Sequence, residues 1–246
     1  MDSEPKILMV FDLDNTILQH TTDYEVIKLI EPKTIDECYY NWAKYMQKVY
    51  LKLKEQFVHL EQIRKIVESI PLNEGFLEIF EFIRNNKEKF ETLIVSGSNT
   101  LYIEWLIDYH KLNDIIDGYF SNFAEQDEDM LIRISPNHVH NCPLCCEDLS
   151  QCKKKVLEEF FFKIKNLRNK DSVYSLYSAI VYVGDGSNDL CPSTLLGKND
   201  FLFPREEFQL HKIVCGEKCN LLNCKVHPWK NGKKILEVIK NNFFPQ

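Results

Sequence analysis

Four aspartates in two short motifs carry the reactive potential of this sequence. Asp12 and Asp14 follow the apolar run Lys6–Phe11, and Asp185 and Asp189 follow the apolar run Ala179–Val183. A third apolar run, Glu91–Val95, closes on Ser96-Gly97-Ser98-Asn99. Short apolar runs bounded by polar turns read as buried strands. In an open parallel sheet the carboxyl ends of the strands converge on one crevice, where ligands bind. Convergence would bring four carboxylates together, and like charges at close range raise one another's pKa unless a cation neutralises them. A hard divalent ion suits that donor set, and Mg²⁺ is commonly shared between a few carboxylates, water and a substrate phosphate. The expected metal set is therefore Asp12, Asp14, Asp185 and Asp189.

Those motifs need elements to hold them. After the first strand the pattern turns helical: a capping box at Thr22 and Glu25, a break at Pro32, then one long amphipathic helix over Ile35–Gln56. A shorter helix follows near His59–Ser69, stopped by Pro71, and Asn73 is placed to cap another that runs to about Asn85. The spacing predicts a helix over Thr100–His110, strands over Ile115–Phe120 and Met130–Ile134, and a helix over Lys153–Asn166. A short strand at Phe201–Phe203 and a last helix around Lys233–Lys240 complete the pattern. Strands alternating with helices imply an α/β fold, a mostly parallel sheet with helices on both faces. The helical stretch after the first strand is too long for a simple crossover and reads as an inserted α-helical cap. The expected division is 1–20 and 75–246 as core, 21–74 as cap.

Composition narrows the function. The 246 residues carry 30 basic and 37 acidic side chains, a net charge of −7, which argues against nucleic acid as a partner. The 44% hydrophobic content is ample for a core. No apolar run reaches the roughly 18 residues of a membrane span, and the start of the chain lacks the pattern of a secretory signal. Nine cysteines in such a chain are expected to be reduced thiols of a cytoplasmic protein. No obligate protein partner is evident.

Asp12-Leu13-Asp14-Asn15-Thr16 resembles the first motif, DxDx(T/V), of the haloacid dehalogenase superfamily of phosphohydrolases. Ser96 resembles the second motif and Gly184-Asp185-Gly186-Ser187-Asn188-Asp189 the fourth. Finer features are similar to the phosphoethanolamine/phosphocholine phosphatases and their pyridoxal phosphate phosphatase relatives. These are Tyr45-Met46-Gln47-Lys48-Val49, Ile70-Pro71-Leu72 with Gly75, His138-x-His140-x-Cys142-x-x-Cys145 leading to Cys152-Lys153, and Asp189-Leu190-Cys191-Pro192. The resemblance spans about Ile7 to Trp229.

The resemblance implies a Mg²⁺-dependent phosphatase of small phosphomonoesters. Asp12 would be the nucleophile and Asp14 the general acid and base, with Mg²⁺ held by Asp12, Asp185 and the Asp14 backbone carbonyl, and Asp189 behind them or bound through water. Ser96 and Lys153 would contact the phosphoryl group, although Lys154 and Lys155 sit beside the matching lysine. Thr16, Gly97, Ser98 and Asn188 fall on the substrate side of the motifs. Asp23 matches an acidic substrate contact, and it also sits where an acid favours a helix dipole. The family's second acidic contact falls on Gly97, so pyridoxal phosphate, thiamine phosphate, phosphoethanolamine and phosphocholine all stay open as substrates. Two other readings remain: a phosphoserine-type phosphatase, and a zinc-containing binding protein on the same fold. Tyr39, Trp42, Tyr45 and Met46 at helical spacing read as a packing stripe in preference to an aromatic cage.

His138, His140, Cys142, Cys145 and Cys152, with Cys146 among them, crowd into fifteen residues and have ligand types and spacing suited to tetrahedral zinc. A reduced surface loop is the competing reading. A looser set, Cys215, Cys219, Cys224 and His227, reads as ordinary thiols, and Cys191 as packing beneath the fourth-motif loop.

Overall fold

The computed structural model describes residues 4–30, 41–129, 131–145, 151–216 and 219–245, with only the backbone of Cys219. Seven strands form one sheet in the order β4-β3-β2-β1-β5-β6-β7. They are β1 (Lys6–Phe11), β2 (Phe90–Asn99), β3 (Gly118–Gln126), β4 (Ile132–Ser135), β5 (Tyr177–Gly184), β6 (Phe201–Pro204) and β7 (Lys225–Val226). All neighbours are parallel except β3 and β4. The strand order reverses at β1, which pairs with β2 on one side and β5 on the other. Such a reversal opens a crevice at the carboxyl ends.

Alternation along the central strands explains the two-sided core. Ile7, Met9 and Phe11 join one apolar cluster, with Val181 and Val183 of β5; Leu8 and Val10 join the other, with Ile180 and Tyr182. The first cluster is covered by α4 (Phe76–Asn85), α5 (Thr100–Tyr109) and α9 (Gly232–Phe243), and by α2 (Trp42–Glu55) and α3 (Leu60–Glu68). The second is covered by α6 (Lys153–Leu167), α7 (Leu190–Ser193) and α8 (Gln209–Val214). The chain is thus α/β with helices on both faces.

The helices between β1 and α4 join the sheet through a narrow neck. Leu18 pairs antiparallel with Leu72, Gln19 N–H donates to the Pro71 carbonyl (2.9 Å), and Asn73 N–H donates to the Ile17 carbonyl (2.8 Å). Beyond the neck come α1 (Thr22–Ile27), α2 and α3. The Gln47 side chain of α2 bonds both the Ile132 carbonyl (3.1 Å) and the Ile134 N–H (2.9 Å), docking α2 along β4.

Local readings differ from the sequence pattern at several places. No capping box forms at Thr22: it is already helical, and gives its N–H to Asp14 Oδ1 (2.8 Å) and its hydroxyl to Asp14 Oδ2 (3.3 Å), a stronger acceptor than a local side chain. Asn73 does not cap α4 with its side chain; its amide donates to the Thr16 and Leu18 carbonyls (2.7 and 2.8 Å). The third strand starts at Gly118 because Ile115, fully buried, fills the turn before it. β4 begins at Ile132, and Met130 lies outside the described residues. Asn41 caps α2 by accepting from Lys44 N–H (3.0 Å); Pro32, the expected reach of that helix back to Ile35, and Tyr39 also lie outside them.

Candidate active site

Register places the motifs at one edge. Phe11 is level with Ile94 on β2 and Val183 on β5, which brings Asp12, just past β1, and Asp185, just past β5, beside Ser96. Ser96 lies in the last stretch of β2, because that strand runs on beyond the expected end at Val95 to Asn99. Beyond β1 the chain makes one wide turn, Leu13–Ile17. Asp12 opens it by accepting from Leu13 N–H (2.7 Å), and Asn15 takes φ +53°, a left-handed backbone that asparagine tolerates. The turn carries Asp14 to the crevice mouth, where the Thr22 bonds hold it.

A buried ion-pair chain crosses the floor. Lys153 Nζ, 1% exposed, lies 2.9 Å from Asp12 Oδ1 and 2.7 Å from Asp189 Oδ1. Asp189 also accepts from the Tyr182 hydroxyl (2.7 Å) and from the N–H groups of Asp185 (3.0 Å) and Gly186 (2.9 Å). Its two oxygens are thus saturated by protein donors, and it acts as the strut of the fourth-motif loop. Lys154 and Lys155 instead approach Glu158 and Glu159 on the partly exposed side of α6, so only Lys153 of the three reaches the carboxylates.

Asp12, Asp185 and Asp189 place carboxylate oxygens within 4.8 Å of one another. Burial, partly offset by Lys153, pushes Asp12 up to about 7. Burial and then the nearby Asp23 carboxylate push Asp14 up to about 7. Burial, then Asp12 and Asp189, raise Asp185 well above the usual carboxylate range. Burial disfavours the Lys153 charge, but Asp12 and Asp189 outweigh it and keep the ammonium protonated. This donor set fits a hard divalent cation: hydrogen bonds from Leu13, Lys153 and Thr16 occupy one oxygen each of Asp12 and Asp185 and leave the second oxygen of each without a protein donor among the described residues.

A cavity of ≈ 650 Å³ opens above these groups, in the range of small-molecule sites. Asp12, Asp14, Asp185, Ser96, Gly97 and Asn188 line it, with Asp23, Tyr24 and Trp42 on the helical side and Pro143 and Leu144 opposite. Trp42 Nε1–H donates to Asp23 Oδ2 (2.6 Å), and the Trp42 ring stacks on Tyr45 and meets Tyr24 edge-on. Tyr45 and Met46 are buried, as a packing stripe requires, while Trp42 also faces the cavity. Thr16 and Ser98 are not among the lining residues. Thr16 donates to Asp185 Oδ1 (3.2 Å), and Ser98 shares a hydroxyl hydrogen bond with Thr22 (2.8 Å).

Four contributing residues escaped the sequence reading. Arg205 bonds the Asn15 carbonyl and Asn73 Oδ1, packs over Phe208, and so ties the wide turn to the end of β6. Tyr182 supports Asp189 from within β5, and Gln209 and Ile213 of α8 line the cavity. Arg205 follows the carboxyl end of β6, the position that flagged the four aspartates; the strand is expected at Phe201–Phe203, but a lone cation after it carries no motif.

The zinc set expected from sequence is rearranged. His138 Nε2 accepts the Cys152 N–H (3.1 Å) and His140 Nδ1 accepts the Cys142 N–H (3.3 Å), which turns both rings toward the loop backbone. Four sulfurs converge instead, those of Cys142, Cys145, Cys152 and Cys191. Cys146 lies outside the described residues. Cys215 is exposed and His227 stacks against both Phe201 and Phe203, so these two form no such group.

The fold recurs in a solved structure described as a phospho-aspartyl intermediate analogue of phosphoserine phosphatase (TM-score 0.57, 18% identity, 96% of this chain and 99% of that one). A pyridoxal phosphate phosphatase of Mus musculus is 33% identical over 241 residues, covering 94% of this chain and 96% of that protein. A phosphoethanolamine/phosphocholine phosphatase of Gallus gallus is 28% identical, covering 96% and 88%. Together with the carboxylate crevice, these define a phosphomonoesterase of the haloacid dehalogenase type. The family model described as "Putative Phosphatase" matches residues 7–242, and the chain belongs to that family. Among the described residues no helix is long and apolar enough to cross a membrane.

Proposed function

We propose that this phosphatase hydrolyses small phosphomonoesters of the pyridoxal phosphate, phosphoethanolamine or phosphocholine type through a phosphorylated Asp12. The observation that carries the reading is the Asp12–Lys153–Asp189 ion-pair chain facing Asp14, whose carboxyl holds its proton up to about pH 7.

Phosphate-monoester hydrolysis is among the slowest uncatalysed reactions, and a carboxylate nucleophile splits it into two easier steps. An Asp12 oxygen forms a bond to phosphorus as the ester P–O bond breaks, and the Asp14 carboxyl proton passes to the departing alkoxide. Asp14, now a carboxylate, takes a proton from the water that attacks the phosphoryl group. The P–O bond to Asp12 then breaks, returning free Asp12 and inorganic phosphate. Lys153 draws charge from Asp12 and the transferring group, and the Ser96 hydroxyl donates to a phosphoryl oxygen. Mg²⁺, held by Asp12, Asp185 and the Asp14 carbonyl, would supply charge neutralisation at the phosphoryl oxygens. Residues 21–74 act as the cap, setting Asp23, Tyr24 and Trp42 over the crevice. Asp23, Gly97 and Asn188 then meet the substrate, while Thr16 and Ser98 act from behind the wall.

Asp12→Asn is expected to lower phosphate release from pyridoxal phosphate, phosphoethanolamine and phosphocholine on the order of 10³-fold or more, and chelation of divalent ions to stop it. Turnover retained in either experiment refutes the mechanism.

A further inference from the structure

Four cysteines from three separate chain segments bring their sulfurs together beside the catalytic crevice, whose wall includes Cys145. Cys142 and Cys145 belong to the loop after β4, Cys152 is the residue at the start of α6, and Cys191 lies in α7. All four sulfurs lie within 4.8 Å of one another; Cys191 is 3.3 Å from Cys145 and 3.8 Å from Cys152. Cys145, Cys152 and Cys191 are buried, and Cys142 is half-buried. We propose that Cys142, Cys145, Cys152 and Cys191 form a structural site for one thiophilic divalent cation, zinc, distinct from the carboxylate site.

Geometry separates this from chance packing of thiols. A tetrahedral ion with Zn–S bonds of about 2.3 Å sets its sulfurs about 3.8 Å apart. The Cys191–Cys152 separation of 3.8 Å matches that edge, and the Cys191–Cys145 separation of 3.3 Å is shorter than it. A disulfide would draw two sulfurs to about 2 Å and has no use for the other two. The Cys142-Pro143-Leu144-Cys145 spacing is that of a zinc knuckle, in which two ligands from one tight loop occupy one edge of the tetrahedron. Binding displaces four thiol protons to solvent and leaves a net charge of −2 on the centre. The start of α6, a 15-residue helix, meets that charge with its positive dipole end at Cys152. His138 and His140 are excluded as ligands because both accept backbone N–H groups of the loop.

The position gives the site its purpose. Cys152 is bonded to Lys153, Cys191 stands two residues after Asp189, and Pro143 and Leu144 line the catalytic cavity. One ion therefore fixes the lysine, the strut carboxylate and one cavity wall in a single rigid frame.

The test uses the full chain, purified without metal-chelate chromatography or added zinc, and measures zinc by elemental analysis alongside alkylation of native thiols read by mass spectrometry. Expected are stoichiometric zinc and protection of these four cysteines until a strong chelator is added. The paired variant Cys142→Ser with Cys145→Ser is expected to lose the zinc, and His138→Ala with His140→Ala to keep it. Should the cysteine variant fail to fold, Co²⁺ exchange into the wild type is expected to give intense thiolate-to-metal charge-transfer absorption. Absence of zinc with freely alkylated thiols, a disulfide within the cluster, zinc that survives loss of the cysteines, or a Co²⁺ form without thiolate bands would each overturn the assignment.

Discussion

Gly184 and Asp189 share space that no side chain at position 184 could occupy: a Cβ there would stand 2.5 Å from Asp189 Cγ and 2.5 Å from its Oδ2. The last residue of β5 is glycine because the strut carboxylate lies directly against the strand. That contact lets Asp189 reach Lys153 and Tyr182 with one oxygen and two backbone N–H groups with the other.

Gly184→Ala is therefore expected to push the Asp189 carboxylate off its donors and tilt Lys153 away from Asp12. Overpacking of this kind costs about 1–3 kcal/mol, and a displacement near 1 Å at reacting groups costs about 10²-fold in rate. Steady-state phosphate release and a thermal melt measure the two effects. A variant with the wild-type kcat would show that the strut does not position the lysine.

The raised carboxylates make a prediction about pH. Asp14 titrates at about 7 in the folded chain, through burial and then Asp23, against the usual 3.8. A raised acid contributes stability that is fully present below pH 3.8 and is lost as pH climbs through about 7. Asp14→Asn removes that titration, while its amide oxygen can still accept from Thr22 N–H. In the absence of divalent ions, variant and wild type should melt alike near about pH 4 and diverge as pH rises to about 8. The variant should then be the more stable by several degrees, at about 2–4 °C per kcal/mol for a chain of this size. A gap that closes with rising pH contradicts the sign.

Much of this arrangement was written in local pattern. Strands β1, β2, β5 and β6, and the placing of Asp12 and Asp185 just past β1 and β5, follow from short apolar runs, because a strand buried on both faces cannot hide its composition. β3 and β4 are only partly buried and their bounds were less legible, and β2 runs on past Ser96 to Asn99. Lys153 could be named from its neighbours in sequence, but its separation from Lys154 and Lys155 depends on which face of α6 meets the carboxylates, a tertiary fact. Asn73 and Thr22 misled because their local partners lost to stronger ones that arrive from distant chain, the wide-turn carbonyls and Asp14. Arg205 and the short β7, α7 and α8 carry too few residues for any period to register. The sulfur group was half legible: spacing flagged three of its cysteines, but only folding brings Cys191 to them and turns the histidines away.

Selectivity among phosphomonoesters is expected to turn on position 97. Gly97 and Asp23 line the same cavity, Asp23 from the helical side and Gly97 from the end of β2. A carboxylate at 97 would face a cationic head group with a second negative charge at short range, where a pair interaction is on the order of 1 to a few kcal/mol. Gly97→Asp should therefore raise kcat/KM for phosphocholine and phosphoethanolamine relative to pyridoxal phosphate by about tenfold, equivalent to about 1.4 kcal/mol. The added charge also opposes ionisation of Asp14, so the alkaline limb of the pH–rate profile should move upward. Both are read from specificity constants measured for wild type and variant across the three substrates. A ratio that stays constant would mean the head group lies against the Trp42 wall instead, and the same measurements on Trp42→Ala would then show the larger loss.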